Sequence, residues 1–242
     1  MGFIMKHLQL LWIPVLTCIL ITPNFLIAQP TISGVINDYT EVTNLDLCSN
    51  SVTVGSTNNF SVGDRVLLIQ MQGASIDQSN SSSFGTVTNY NEAGNYEFAT
   101  IQSINSNQIV FQNYLVRSYN PSASVQLVRV PQYNNVSLSG TVTAQAWNGT
   151  TGGIVVFAAT GNVNLNGNSI DISGQGFRGG NAVNIGGLCP STDYYYDCNN
   201  TNGANKGESI VDLSCAYQRG RGAAAGGAGG GNGHNNGGGG GG

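Results

Sequence analysis

Short segments of alternating apolar and polar residues run along most of the chain. In the clearest part, an apolar run at 154–159 leads into a segment in which Val163 and Leu165 alternate with asparagines. After a glycine, Ile170 and Ile172 continue the same alternation. A period of two is typical of half-buried strands, and Asn and Gly suit the bends between them. We therefore expect stacked strands with these four apolar side chains pointing inward.

The first hundred residues after position 30 show a related pattern. The turn dipeptide Gly63-Asp64 leads into an apolar strand that ends near Met71, and a Ser/Asn/Gly-rich stretch at 72–95 predicts a long surface loop. Residues 96–115 predict a hairpin that turns at Asn105-Ser106-Asn107, and one more strand follows at 125–130. These signals predict a small β-barrel or hairpin module.

The fold class is therefore all-β, with that module followed by the start of a parallel β-helix (solenoid)-like stack and a glycine-rich disordered C-terminus. No segment shows a sustained 3.6-residue apolar period that would predict a helix in the body of the chain. We divide the chain into a signal peptide (1–28), a β-rich N-terminal module (29–130), solenoid-like strands (131–185), a disulfide-containing loop region (186–219) and a glycine-rich low-complexity tail (220–242).

The N-terminus has the pattern of a secretory signal peptide. Lys6 precedes a mostly apolar stretch, and we place cleavage after Ala28. A single membrane span is the alternative, but the uninterrupted apolar run is shorter than the roughly 20 residues that a bilayer requires. We therefore expect a secreted, extracellular or cell-surface protein that meets the membrane only through this peptide during export.

Charge is sparse. Charged residues make up 8% of the sequence, the formal net charge is −4, and no basic stripe is visible. Because affinity for phosphate backbones depends on clustered Lys and Arg, the composition disfavours nucleic-acid binding.

Four cysteines follow the signal peptide: Cys48, Cys189, Cys198 and Cys215. An even number in an exported chain predicts two disulfides, with free buried thiols as the alternative. Three pairings are open. We favour Cys189 with Cys198 across a short polar loop, which leaves Cys48 with Cys215. Their irregular spacing does not favour zinc.

Three quoted stretches carry a resemblance: VGDRVLLIQ (62–70), ATIQSINSNQIVFQNYL (99–115) and SYNPSASVQLVRV (118–130). Their order resembles a module near the start of secreted right-handed β-helix and tail-spike-like proteins. It is also similar to the N-terminal regions of large cell-surface proteins of gliding Gram-negative bacteria. Those proteins end in a C-terminal sorting domain, which this sequence lacks, so we interpret the chain as a fragment.

Candidate chemistry is limited. Tyr194, Tyr195 and Tyr196, flanked by Asp193 and Asp197, form a candidate ligand-contact surface, because tyrosine rings can stack on sugars. The alternative is that the rings simply pack over the end of the core. The two aspartates could share a calcium ion, but no Asp-rich repeat supports one, and we assign no cofactor or metal.

Catalytic residues are not apparent. Asp171 and the nearby Arg178 are the charged residues of the predicted solenoid, and β-helix lyases and glycosidases need more carboxylates than this. We therefore expect a non-enzymatic, adhesin-like or structural β-scaffold whose partners are glycans or other cell-surface proteins. The alternatives are the N-terminal part of a polysaccharide lyase or glycosidase, or a carbohydrate-binding module.

Overall fold

The computed structural model describes residues 29–184, 193–231, 236–237 and 239. The predicted signal peptide, Cys189 and parts of the last eleven residues lie outside this range. Fifteen strands and two single-turn 3-10 helices make up the described part, and the all-β fold class is confirmed. No helix in this part is long and apolar enough to cross a membrane. The strands, in chain order, are β1 (Thr31–Val35), β2 (Tyr39–Asp46), β3 (Ser51–Val54), β4 (Arg65–Gln70), β5 (Ser75–Ile76), β6 (Val87–Asn89), β7 (Tyr96–Asn105), β8 (Gln108–Phe111), β9 (Val125–Arg129), β10 (Gln132–Tyr133), β11 (Val136–Thr143), β12 (Ala158–Ala159), β13 (Val163–Asn164), β14 (Val183–Asn184) and β15 (Asn236–Gly237). The 3-10 helices are Pro121–Ala123 and Cys215–Tyr217.

Six strands form a closed barrel, in the order β2-β3-β8-β7-β4-β9. The predicted hairpin is confirmed as β7 and β8, joined across Asn105 and Gln108, with Ser106 in the left-handed region at φ 54°. The predicted corner at Gly63-Asp64 is also confirmed, because Gly63 has φ 90° and the Asp64 carboxylate accepts from the backbone amide of Ser61. Local turn chemistry therefore sets the barrel's connections.

The barrel is inserted into the solenoid. β1 pairs in parallel with β11, and β11 pairs in parallel with β13, so the parallel ladder is β1-β11-β13. β1 falls in the range that the sequence assigned to the N-terminal module, yet it is the first rung of this ladder. The barrel strands lie between β1 and β11 in the chain.

The apolar run at 154–159 joins the two parts. Its odd-numbered side chains pack in the solenoid core with Leu138, and its even-numbered ones pack against Leu67 and Val128 on the outer face of the barrel. Successive side chains of an extended segment point to opposite faces, so a segment buried on both faces must be apolar throughout.

Two buried amide side chains reinforce this joint. Asn37 donates from Nδ2 to the Val156 carbonyl at 2.5 Å and accepts from the Val156 amide at 3.1 Å. Gln126 bonds to Gly152 in the same way: its Nε2 donates to the Gly152 carbonyl at 3.1 Å, and its Oε1 accepts from the Gly152 backbone amide at 2.9 Å. Each side chain thus takes the place of a neighbouring strand and satisfies both backbone groups of its partner, Val156 or Gly152.

The expected burial of the third coil (residues 163–172) is wrong, although its apolar side chains point inward as expected. Val163 pairs with the buried Val136 and Ile170 with the buried Val142, and paired residues of a sheet face the same side. Val163, Leu165, Ile170 and Ile172 are 42–47% exposed, whereas Val142, the bridge partner of Ile170, is fully buried. The alternation is real, but β13 is an outer strand of its ladder, and no described strand pairs with it on the side away from β11. These apolar side chains therefore lie at an open end of the stack.

The glycine-rich segment is also ordered where it is described. The backbone amides of residues 204–208 donate in turn to the carbonyls of residues 231, 181, 218, 228 and 178. The direction therefore repeats every third residue: 204 and 207 point to the tail, and 205 and 208 point to the segment at 178–181. A β-strand would alternate between two directions, whereas three residues per turn is the period of a polyproline II helix.

Glycines permit this packing. A Cβ on Gly230 would lie 2.1 Å from the Ala204 carbonyl oxygen, and one on Gly180 would lie 2.2 Å from that of Asn205. The expected disorder of the tail is therefore wrong for residues 220–231. Glycine has no side chain, so these backbone segments approach closely enough to form hydrogen bonds with one another. We call the central segment 204–208, together with the neighbouring chain at 178–181, at 218 and at 228–231, the glycine bundle.

Candidate functional site

A polar groove lies where the glycine bundle meets the barrel and the last solenoid coil. Its cavity volume is about 680 Å³. The charged or amide side chains along it are Gln72, Arg178, Asn181, Asn205, Lys206, Glu208, Asp212 and Gln218. The rest of the lining is Ser124, Thr150, Val211, Leu213 and the glycines Gly149, Gly179, Gly180 and Gly207. The groove therefore offers both hydrogen-bond donors and acceptors, and its surface is mainly polar.

An ion pair forms one wall of the groove. Arg178 Nε lies 2.9 Å from Oε2 and 3.0 Å from Oε1 of Glu208, and a second guanidinium nitrogen also bonds to Oε1. The Arg178 backbone amide donates to the same carboxylate at 2.8 Å. Burial acts to raise the pKa of Glu208, but the hydrogen bonds and charge of Arg178 outweigh it and lower the pKa overall. Glu208 is therefore held as a carboxylate.

Lys206 lies at the back of the groove and is buried. Its Nζ donates to three backbone carbonyls, those of Tyr194 at 2.6 Å, Gly220 at 2.8 Å and Gly222 at 2.6 Å. The Phe84 ring lies beneath, with its centroid 4.6 Å away. Burial lowers the pKa of Lys206 to about 7. Because its three donors are engaged, Lys206 holds three segments of the chain together.

The predicted tyrosine surface is largely packed. Tyr195 contacts Phe84 and Tyr217, with ring centroids 5.6 and 4.8 Å apart, and Tyr196 is buried. Tyr194 lies under the Arg221 guanidinium at 4.1 Å. Tyr194 and Tyr195 belong to a cluster that joins the 72–95 loop to the C-terminal segment. Ligand contact by them stays a prediction.

The flanking aspartates have local partners. The Asp193 carboxylate accepts from Nδ2 of Asn80 at 2.9 Å, and that of Asp197 accepts from the Asn199 amide at 2.9 Å. No group of three or more metal-ligating side chains occurs in the part of the chain that the structure describes. Asp171, the predicted solenoid carboxylate, is exposed and bonds to the Ser173 amide.

The predicted disulfide pairing is wrong. Cys198 is bonded to Cys215, and Cys48 is free and exposed on the barrel. Sequence separation favoured a short Cys189–Cys198 loop, but the segments around Cys198 and Cys215 lie side by side, since the Cys198 amide donates to the Cys215 carbonyl at 2.7 Å. Cys189 lies outside the described residues.

Replacing Cys215 with serine tests this pairing. We expect Cys215→Ser to cost about 3 kcal/mol of unfolding free energy, the loss expected for opening a loop of this length. The separation of the two cysteines is 17 residues. Cys48→Ser is the matched control and should leave the urea unfolding curve unchanged. A large effect of Cys48→Ser would contradict the pairing.

Sequence reasoning missed most of the groove. In the sequence, Arg178 is notable only for lying near Asp171, whereas the structure brings it to Glu208, 30 residues further along the chain. Lys206, Glu208 and Asp212 are isolated charges in a polar, glycine-rich stretch, with no motif to mark them.

Comparisons with known proteins give structural likeness alone. No protein-family model matches the chain, and a search of curated proteins finds no match. Among solved structures, the Gp54 tailspike of Acinetobacter baumannii bacteriophage AP22, in complex with A. baumannii capsular saccharide, is 18% identical, with a TM-score of 0.28 over 44% of this chain and 17% of that one. The tailspike gp49 from Pseudomonas phage LKA1 is 14% identical, with a TM-score of 0.26 over 47% and 19%. The Pseudomonas phage phi297 tailspike gp61 is 12% identical, with a TM-score of 0.25 over 43% and 15%.

These alignments involve less than a fifth of each tailspike. The β-helix-like module that the sequence resemblance implied is present in this chain as the parallel ladder β1-β11-β13.

Proposed function

We propose that this chain is a secreted, non-enzymatic, adhesin-like β-scaffold of the cell surface that binds a glycan in the polar groove. The observation that carries the proposal is the groove itself, an open cavity of about 680 Å³ lined by amide and charged side chains and by glycine backbone. Hydroxyl-rich ligands need many donors and acceptors in fixed positions, and planar amide, carboxylate and guanidinium groups supply them.

Rigid support favours binding. The ion pair between Arg178 and Glu208 fixes one wall, and Lys206 fixes the back by bonding to three carbonyls. Side chains that are already held lose little freedom when a ligand arrives, so less of the binding free energy is lost to ordering. Asp212 and Asn181 are exposed along the groove and are the side chains that we assign to direct contact.

The test is a glycan-array screen of the full chain, followed by titration of any hit. We expect Asp212→Asn and Asn181→Ala each to weaken binding about 5- to 10-fold, the effect of losing one hydrogen bond to a polar ligand. Asp171→Asn, an exposed carboxylate away from the groove, is the matched control. Equal binding by all three variants and the unmodified chain would contradict the assignment of the groove.

A second candidate, glycoside cleavage, has one observation in its favour. Two carboxylates, Glu208 and Asp212, line the same groove. Cleavage also needs a carboxyl group that is protonated near neutral pH, and the lowered pKa of Glu208 works against that role. Release of new reducing ends from a bound glycan, abolished by Asp212→Asn, would support this candidate instead of the scaffold.

We further propose that the scaffold is part of a longer surface protein of the kind that gliding Gram-negative bacteria export. The sequence motifs at 62–130 support the bacterial source of the protein. The open end of the coil stack supports a chain that is longer than this one. Leu165 and Ile170 are nearly half exposed, and a further coil stacked on β13 would cover them. The intact mass of the protein from its source cells tests this: a mass near 25.2 kDa or less would contradict it.

A further inference from the structure

Two exposed aromatic rings, each with an arginine guanidinium over it, lie on the outer face of the barrel. Tyr96 and Phe98, successive outward residues of β7, are 52% and 44% exposed. Their ring centroids are 6.4 Å apart in an edge-to-face arrangement. Arg65 lies over Phe98, with Cζ 4.7 Å from the ring centroid, and Arg117 lies over Tyr96 at 6.0 Å. We call these four side chains the aromatic shelf.

The shelf continues the surface on which the solenoid packs. Leu67 and Ile69 of β4 are paired with Phe98 and Tyr96 of β7, and all four point to the same side of the sheet. The solenoid covers the β4 pair, whereas the β7 pair is left open. Apolar surface that stays uncovered beside a packed interface marks a place where another molecule can bind.

Among the described residues, no carboxylate forms an ion pair with either arginine of the shelf. The ion pairs in the described part of the chain involve Arg129 and Arg178 instead. The nearby carboxylate of Glu97 accepts from the backbone amides of Val116 and Arg117, at 3.0 and 3.3 Å. Stacking on a ring occupies the face of a guanidinium and leaves its N–H edge free to donate to a carboxylate.

We propose that the aromatic shelf binds a carboxylate-bearing polysaccharide, such as a chain of uronic acids. Its sugar rings would stack on Tyr96 and Phe98, and its carboxylates would accept from Arg65 and Arg117. A polyphosphate ligand fits less well, because the net charge of −4 opposes a dense polyanion and two arginines are too few to offset it. This surface is separate from the groove, so its failure would leave the groove proposal standing.

The experiment is calorimetric titration of the full chain with oligogalacturonate, and with a neutral maltooligosaccharide of equal length. We expect binding of the acidic oligosaccharide alone, weakened by added salt. Arg65→Gln and Arg117→Gln should each weaken it about 10-fold, as expected for loss of a charged hydrogen bond. Tyr96→Ala should weaken it as well, with thermal unfolding checked for each variant.

Arg221→Gln is the matched control. Arg221 also stacks on a tyrosine, Tyr194, so this substitution removes the same charge and the same type of contact from a different surface. An equal loss of affinity in Arg221→Gln would overturn the proposal, because it would show a general charge effect. The proposal is also overturned if oligogalacturonate does not bind, if single-stranded DNA of equal charge binds more tightly, or if the shelf variants abolish self-association instead.

Discussion

Val142→Asp is expected to unfold the solenoid, whereas Ile170→Asp, one coil further along the same column, should be tolerated. The two residues are bridge partners in parallel strands, but Val142 is fully buried and Ile170 is 45% exposed. A carboxylate in place of Val142 would be buried among apolar side chains without a partner. We expect a loss of more than about 4 kcal/mol, which is a large share of the stability of an ordinary domain.

Urea unfolding of the two variants measures this difference. Ile170→Asp should lose less than about 1 kcal/mol, as is usual for exposed positions. The sequence alone predicts that Ile170 is buried and that a charge there is as damaging as one at Val142; the exposure of Ile170 reverses that expectation. If Ile170→Asp proves as damaging as Val142→Asp, another part of the protein covers the third coil in solution, as the longer-protein proposal requires of the intact molecule.

Gly230→Ala should disrupt the glycine bundle. The new methyl carbon would lie 2.1 Å from the Ala204 carbonyl oxygen, a backbone atom that cannot rotate away. The two segments must therefore separate, which breaks the hydrogen bonds that the backbone amides of the central segment donate to the tail. We expect a cost of about 3 kcal/mol or more, at the upper end of the range for overpacking.

Hydrogen exchange of the amides at 204–208 is the measurement, because these amides report directly on the bundle. Gly230→Ala should raise their exchange rates while barrel amides stay protected. Gly176→Ala is the matched control, since no atom lies within 4 Å of its added carbon. It should be neutral or stabilise slightly by restricting the unfolded chain. Equal exchange in both variants would show that the bundle does not depend on close glycine contacts.

The barrel was the most predictable part of the molecule, because its signals are local. The hairpin of β7 and β8 follows from alternating residues on either side of a two-residue turn, and the corner at Gly63 follows from a turn dipeptide. Each depends on residues that are neighbours in the sequence.

The exposure of the third coil was less predictable for a physical reason. Alternation shows that Ile170 and Ile172 share a face, but burial depends on which segment stacks above that face, and this is not a local property. The glycine tail is a second example. Its composition is the same whether the chain is disordered or packed, and the difference depends on the backbone amides of residues 204 and 207, more than 20 residues away, which donate to the tail carbonyls of residues 231 and 228.

The candidate site was largely hidden for the same reason. Arg178 and Glu208 are brought together by the return of the chain through the bundle, and neither belongs to a motif. The tyrosines were visible in the sequence, but the sequence did not show that Phe84 and Tyr217 pack against Tyr195.

The insertion of the barrel between the first two rungs of the parallel ladder has a consequence for the order of folding. Tyr39 at the start of the barrel pairs with Val128 near its end, so the folded barrel brings its own entry and exit together. Before the barrel forms, pairing of β1 with β11 must close a loop of about a hundred residues. Once the barrel has folded, only the few residues that link β1 and β11 to the barrel are still to be ordered. We therefore expect the barrel to fold first and the pairing of β1 with β11 to follow, so that the solenoid forms on a barrel that is already in place.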